Sequence, residues 1–205
     1  MLVKTRWKHM HGETSQVCSP DVDLVRRARN GDETACHEMV DRYSDHLYGL
    51  AFSMVGNAAD AADVLQETFL GAFRHLRDFE LRSSVKTWLS RILLRQVARH
   101  HRSKHRHRTV SLEGVSETSE ELLAGKTSGV AQTTSDARMD VLDALETLSP
   151  IHREVIVLRE MQGMSYEEIA AVLGVPRGTV ESRLFRARQE MRERLRDYVS
   201  QEGRG

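Results

Sequence analysis

The sequence predicts an all-α fold: two small helical domains joined by a flexible acidic linker. Three observations predict it. Apolar residues recur at three- and four-residue spacing through two blocks, 21–103 and 136–200. Only 3 prolines occur in 205 residues, long stretches lack glycine, and no apolar/polar alternation is long enough to build a sheet. Between the blocks, residues 104–135 are rich in Ser, Thr, Gly and Glu with little periodicity, which is linker composition. Aromatics make up 5% of the chain, so the cores must be filled by Leu, Val, Ile, Ala and Met, as in small bundles.

Residues 1–20 are polar, lack periodicity and read as a disordered tail ending at Ser19-Pro20. A helix begins near Asp21, with Leu24, Val25 and Ala28 on one side. Asn30-Gly31-Asp32 reads as a turn and a new helix start. The second helix carries Met39, Val40, Tyr43, Leu47, Leu50 and Met54 and breaks at Gly56-Asn57. A third, about Ala58 to His75, has Val64, Leu65, Phe69, Ala72 and Phe73 as its stripe and Asp60, Asp63, Gln66 and Glu67 opposite. After a polar loop, Asp78 to Ser84, a fourth helix spans roughly Val85 to His101, with Trp88, Leu89, Ile92, Leu93 and Val97 apolar. The linker holds one short helical candidate, Glu120–Leu123. Val141, Leu142, Leu145 and Leu148 open the second block, and Ser149-Pro150 pairs a good N-cap with a good first helical residue. The helix that follows carries Val155, Ile156 and Leu158 to near Gly163.

The 2 cysteines, Cys18 and Cys36, form no CxxC pair, so neither a disulfide framework nor a cysteine zinc site is indicated. No apolar run is long enough for a membrane span, and Met1 to Met10 lacks the apolar stretch of a secretory signal; a cytoplasmic protein is expected. The net charge of zero hides a division. No Asp or Glu occurs from Leu81 to Leu112, a stretch holding Arg82, Lys86, Arg91, Arg95, Arg99, Arg102, Lys104, Arg106 and Arg108. From Thr109 to Ser149 the acids Glu113, Glu117, Glu120, Glu121, Asp136, Asp140, Asp143 and Glu146 face only Lys126 and Arg138. A basic block followed by an acidic one implies two surfaces with different partners. The run His100-His101-Arg102-Ser103-Lys104-His105-Arg106-His107-Arg108 could be read as a metal tract, but its interleaved cations repel a metal ion and suit phosphate instead.

Ser165-Tyr166-Glu167-Glu168 is a capping box ahead of Ile169, Ala170 and Leu173. Gly174 ends that helix, and Pro176 opens another whose Val180, Leu184, Ala187, Met191 and Leu195 share an inward side. Two helices joined by a short glycine turn make a helix-turn-helix, whose second helix enters the major groove N-terminus first. Its outer side offers Arg177, Thr179, Glu181, Ser182, Arg183, Phe185 and Arg186. Arginine pairs with guanine or phosphate, Ser and Thr with either bases or phosphates, and an off-stripe phenylalanine can touch a thymine methyl. Glu181 can accept from cytosine N4 or simply repel phosphate. A solvated, charged helix face is the bland alternative for the same residues.

Leu148-Ser149-Pro150-Ile151-His152-Arg153-Glu154-Val155, Ser165-Tyr166-Glu167-Glu168-Ile169-Ala170 and Gly178-Thr179-Val180-Glu181-Ser182-Arg183-Leu184-Phe185-Arg186-Ala187-Arg188 closely resemble the fourth domain of extracytoplasmic-function (ECF) sigma factors, the short branch of the sigma-70 family. Asp60-Ala61-Ala62-Asp63-Val64-Leu65-Gln66-Glu67-Thr68-Phe69 and Thr87-Trp88-Leu89-Ser90-Arg91-Ile92 resemble their second domain. The resemblance covers about 21–200. It implies a sigma domain 2 at 21–103, the linker at 104–135, and a helix-turn-helix sigma domain 4 (winged-helix-like) at 136–200. It implies no catalysis and no cofactor. Its partners would be core RNA polymerase, through the β′ clamp helices and the β flap, promoter DNA, and an anti-sigma factor. Asp60, Asp63, Gln66 and Glu67 would dock on the clamp helices, although a solvated face has the same spacing. Ser83, Ser84, Lys86, Thr87, Trp88, Arg91 and Arg95 would recognise and open the −10 element, cations tracking phosphates while polar groups grip an unstacked base. At helical spacing with Leu89 and Ile92, Trp88 reads as core rather than as a base-stacking platform.

One departure stands out. Many relatives carry Asn where this chain has Arg95, and a guanidinium cannot accept a hydrogen bond as an amide can, so the −10 preference is expected to differ. In the family the linker enters the polymerase cleft, where its acids would avoid DNA or mimic it. A stand-alone helix-turn-helix regulator is the alternative, but Asp60 to Ile92 offers no ligand pocket or receiver carboxylates. An enzyme would need clustered carboxylates or an activated nucleophile, and a second element supplying them is not evident.

Overall fold

The computed structural model describes residues 20–111 and 141–202, and every regular element among them is a helix. Four helices form an N-terminal unit: α1 (Pro20–Arg29), α2 (Glu33–Val55), α3 (Ala58–His75) with a 3₁₀ turn at Leu76–Asp78, and α4 (Val85–Ser111). The second unit holds α5, described over 141–146, then α6 (Pro150–Ile156) running into a π turn at Val157–Met161, α7 (Tyr166–Leu173) and α8 (Arg177–Glu202). No strand occurs among the described residues, so no wing accompanies the helix-turn-helix there.

The boundaries follow from local chemistry. Asp32 caps α2 by accepting from the Ala35 N–H at 3.2 Å, and Arg27 beside it helps hold its carboxyl below the usual range, though the backbone bond is the larger cause. Gly56 ends α2 at φ +79°, its N–H bonded to the Phe52 carbonyl, and Asn57 at once caps α3 through the Asp60 N–H at 2.9 Å. One glycine–asparagine step thus stops one helix and starts the next. The buried stripes mesh as the periodicity requires: Leu24 and Val25 from α1, Met39, Leu47 and Leu50 from α2, Val64 and Phe69 from α3, Leu89, Leu93 and Val97 from α4.

The structure departs from the sequence reading in four places. Helix α4 does not stop near His101 but continues to Ser111, through residues assigned to the linker. No glycine or proline interrupts Val85–Ser111, and Lys104 is anchored to Asp60 at 3.0 Å, so nothing terminates the helix there. Helix α6 loses its regular pitch at the π turn, where Val155, Ile156, Val157 and Leu158 are all buried; a segment buried on every side has no solvent stripe to keep. Val141, expected on the apolar side of α5, is exposed, while Leu145 and Leu148 are buried. The fourth is that the two units are not separate bodies: their buried apolar side chains join into one cluster, with α7 packed on α4 and the π turn on α2. The tail at 1–19, the linker at 112–140 with its Glu120–Leu123 candidate, and the Leu195 side chain lie outside the described residues.

Gly56 sits where these constraints meet. Its left-handed backbone disfavours any side chain, and a Cβ there would run into the Glu146 carboxylate of the other unit. Gly56→Ala should cost about 1–2 kcal/mol, read as a lower denaturant midpoint in chemical unfolding. An unchanged midpoint would show that the α2–α3 corner relaxes freely.

Candidate nucleic-acid interface

The capping box at Ser165 is complete. The Ser165 Oγ accepts from the Glu168 N–H at 3.2 Å, and the Glu168 carboxylate accepts from the Ser165 N–H at 2.8 Å, which holds the Glu168 carboxyl below its usual range. Gly174 closes α7 in the left-handed region at φ +66°. Pro176 then opens α8, its carbonyl accepting from Thr179 at 2.9 Å and Val180 at 3.3 Å. Ile169, Val172, Val180, Leu184 and Ala187 are buried and fix α8 against α7. The outer side of α8 is thereby aimed at solvent along a rigid helix.

That side is not uniform. Phe185 is 71% exposed, an unusual setting for a large aromatic. Arg186 is exposed, and among the described residues it makes no hydrogen bond or ion pair. Arg177 and Glu181 are tied together at 2.9 Å, with Glu167 bonded to the same guanidinium at 2.7 Å, so neither is an independent reader. Ser182 is exposed but donates to the Thr179 carbonyl at 3.0 Å. Thr179 and Arg183 are half-buried. Arg183 lies close enough to Glu154 to counter, in part, the rise that burial imposes on that carboxyl.

The face assigned to the −10 strand is assembled differently from the expectation. Ser84 caps α4, its Oγ accepting from the Thr87 N–H at 3.1 Å and paired with the Thr87 hydroxyl at 2.8 Å. Thr87 is 2% exposed, so it belongs to the cap and the core and cannot grip a base in this arrangement. Trp88 is half-buried and stacks on Phe79 with ring centroids 4.4 Å apart, the packed alternative. Leu81, in the loop ahead, takes φ +57°, a strained value for leucine. Ser83 is half-buried and Arg95 exposed. Lys86 and Arg91 are not free: Lys86 donates to the Gln162 carbonyl at 3.0 Å and Arg91 to the Ala171 carbonyl, both in the C-terminal unit.

On α3, Asp63, Gln66 and Glu67 are exposed on one face, as expected. Asp60 is not. Its carboxylate takes a bond from Asn57 at 2.7 Å, from Lys104 at 3.0 Å, and lies 3.1 Å from His100 Nε2. The Asn57 bond is the main reason its carboxyl is held low. Asp60 is a brace between α3 and α4. Sequence reasoning missed Leu70, 39% exposed, which extends the Asp63–Glu67 face by one turn; its position off the buried stripe was the available signal.

Two protein-family models match the chain: Sigma-70 region 2 over residues 39–107 and Sigma-70, region 4 over 138–191. The ECF RNA polymerase sigma-E factor of Haemophilus influenzae is 32% identical, with 87% of this chain and 97% of that one covered. The RNA polymerase sigma-H factor of Pseudomonas aeruginosa is 33% identical, covering 87% and 95%. The ECF sigma factor SigE of Mycolicibacterium smegmatis is 35% identical over 83% of this chain and 66% of that longer one. Among solved structures, CnrH in complex with the cytosolic domain of CnrY has a TM-score of 0.65 at 30% identity, covering 86% of this chain and 97% of that one. The sigma factor RpoE of Bartonella quintana, bound to the anti-sigma factor NepR, has a TM-score of 0.62 at 30% identity, covering 78% and 96%. With the two regions matched in this order and relatives 32–33% identical over most of both chains, the chain belongs to the extracytoplasmic-function branch of the sigma-70 RNA polymerase sigma factors.

Proposed function

We propose that this sigma factor divides promoter reading between its two units, with α8 holding the −35 duplex and α4 handling the opened −10 strand. The observation that carries this is the outer side of α8: Phe185 and Arg186 stand exposed on a helix whose opposite side is buried at Val180, Leu184 and Ala187. An arginine free of intramolecular partners can reach guanine O6/N7 or a phosphate, and Phe185 can lie on a thymine methyl. Arg177, paired to both Glu167 and Glu181, must exchange a carboxylate before it can take a phosphate. Of the three α4 cations assigned to the −10 strand, Arg95 is exposed, while Lys86 and Arg91 each have one donor on a carbonyl of the C-terminal unit.

The Asp63–Gln66–Glu67 face, with Leu70 at its edge, is assigned to the β′ clamp helices, and the C-terminal unit to the β flap. An apolar side chain beside exposed acids gives such a face both grip and charge selectivity. Asp60 is left out of this contact because it braces α4. The relative captured with the anti-sigma factor NepR supports an anti-sigma partner for this chain as well. It would act in the cytoplasm, where its polymerase resides.

Run-off transcription with core polymerase and a randomised promoter pool tests the reading, and failure to associate with core polymerase would reject it. Within that assay, Arg186→Ala should weaken promoter recognition by about 1–3 kcal/mol at one −35 position if the contact is to a base. A loss spread evenly over all sequences would make Arg186 a phosphate anchor. Asp63→Lys combined with Glu67→Lys should weaken core binding at least about ten-fold in a titration of labelled sigma, since like charge would replace complementary charge. An unchanged affinity would return that face to plain solvation.

A further inference from the structure

One residue on the outer side of α8 has the wrong charge for a helix that faces phosphates. From Arg177 to Arg188 the helix carries four arginines and a single acid, Glu181. Glu181 is exposed on the second turn, at the end that enters the major groove first. It is not loose. Its Oε1 accepts from Arg177 Nε at 2.9 Å, and the same guanidinium donates through Nη1 to Glu167 of α7 at 2.7 Å. Glu167 lies in the first turn of α7, between the Ser165 capping box and the Gly174 stop, so its own place is fixed. Arg177 is therefore held from α7 and in turn holds Glu181. The second carboxylate oxygen of Glu181 makes no hydrogen bond among the described residues. Glu181 and Phe185, one turn apart, line one groove with Tyr166 and Arg188.

We infer that Glu181 reads a C·G base pair in the −35 duplex, its open oxygen accepting from the cytosine N4 amine, and that Arg177 is the residue that positions it. The inference rests on the −35 role proposed for α8. An ionised carboxylate has no proton to donate and can only accept. The major-groove edges offer two donors, the N4 amine of cytosine and the N6 amine of adenine. Adenine sets its N7 acceptor beside that amine, where it repels a carboxylate; cytosine sets only a C–H there. Guanine and thymine present acceptors alone, so they oppose Glu181 outright. The residue thus discriminates by the cost of the wrong base as well as by the bond to the right one. A carboxylate free to rotate would swing away from the polyanion. The Arg177 guanidinium offsets part of its charge and orders it before DNA arrives, which lowers the cost of the contact. Arg177 itself stays committed to its two carboxylates rather than to a phosphate.

The test uses the full chain bound to core polymerase and a duplex pool randomised across the −35 element. One position should be enriched in cytosine by about ten-fold over the other bases. Glu181→Ala should erase that preference and leave those at the other −35 positions in place. A cytosine preference that survives in Glu181→Ala overturns the inference, as does a wild-type pool with −35 preferences but none that Glu181 controls. A wild-type pool with no −35 preference at all is a different result and overturns the −35 reading of α8 along with it. A change on the DNA side keeps the test sound if the variant misfolds. Replacing the selected cytosine by pyrimidin-2-one removes only the N4 amine. The wild-type chain should then bind about ten-fold more weakly, and equal affinity for the two duplexes would overturn the contact. Arg177→Ala should lower the cytosine preference at this one position, and Arg177→Lys should restore most of it, since an ammonium can still pair with Glu181. A loss spread evenly over all sequences would instead make Arg177 a phosphate contact and overturn its positioning role.

Discussion

Every α-helix ends with carbonyls that have no N–H of their own to accept, and in this protein cationic side chains from elsewhere in the fold fill many of them. Arg29 reaches from α1 to Leu76 at the end of the α3 segment, at 3.0 Å. Arg153 holds two ends together, Glu146 of α5 at 2.7 Å and Met54 of α2 at 3.3 Å. Arg91 takes Ala171 and Lys86 takes Gln162. A bond of this kind is worth about 1–3 kcal/mol net, more than most exposed ion pairs, because the carbonyl would otherwise go unpaired at a partly buried site. Apolar stripes set which helices touch; these caps set where along their lengths they meet.

The same chemistry joins the two units into one cluster. The apolar contact between them is modest, centred on the π turn against α2 and on α7 against α4, and the polar contacts are cation to carbonyl. Such donors lose little by exchanging a carbonyl for a phosphate oxygen. Deeply buried ion pairs would have held the units more rigidly, and neutral apolar packing would not have answered to phosphate at all.

Much of this was legible in the sequence. The caps at Asp32, Asn57, Ser149 and Ser165, the stop at Gly56 and the turn at Gly174 each combine a residue type with a backbone need that few alternatives meet. The inward side of α8 followed from spacing, and with it the exposure of Phe185. Other spacings also carry structural signals. Ser84 and Thr87 stand three apart at a helix start, the spacing of a cap, and Arg177 and Glu181 are four apart on one helix, the spacing of an ion pair. Asp60, three residues after its cap Asn57, is drawn into that cap before it can face a partner.

The contacts between units were not legible, for a physical reason. A carbonyl belongs to every residue, so its pairing with Arg91 or Lys86 leaves no mark on residue type or spacing. The end of α4 escaped for a related reason: its last turns are polar and carry no apolar period, and Lys104 finds Asp60 only in three dimensions. Pulsed electron paramagnetic resonance between spin labels at Arg74→Cys on α3 and Gln189→Cys on α8, with Cys18 and Cys36 replaced by serine, tests the central claim directly. The account predicts one narrow distance in the free chain, broadening when Lys86 and Arg91 are replaced by alanine. A broad distribution in the free chain, unchanged by those substitutions, would contradict it.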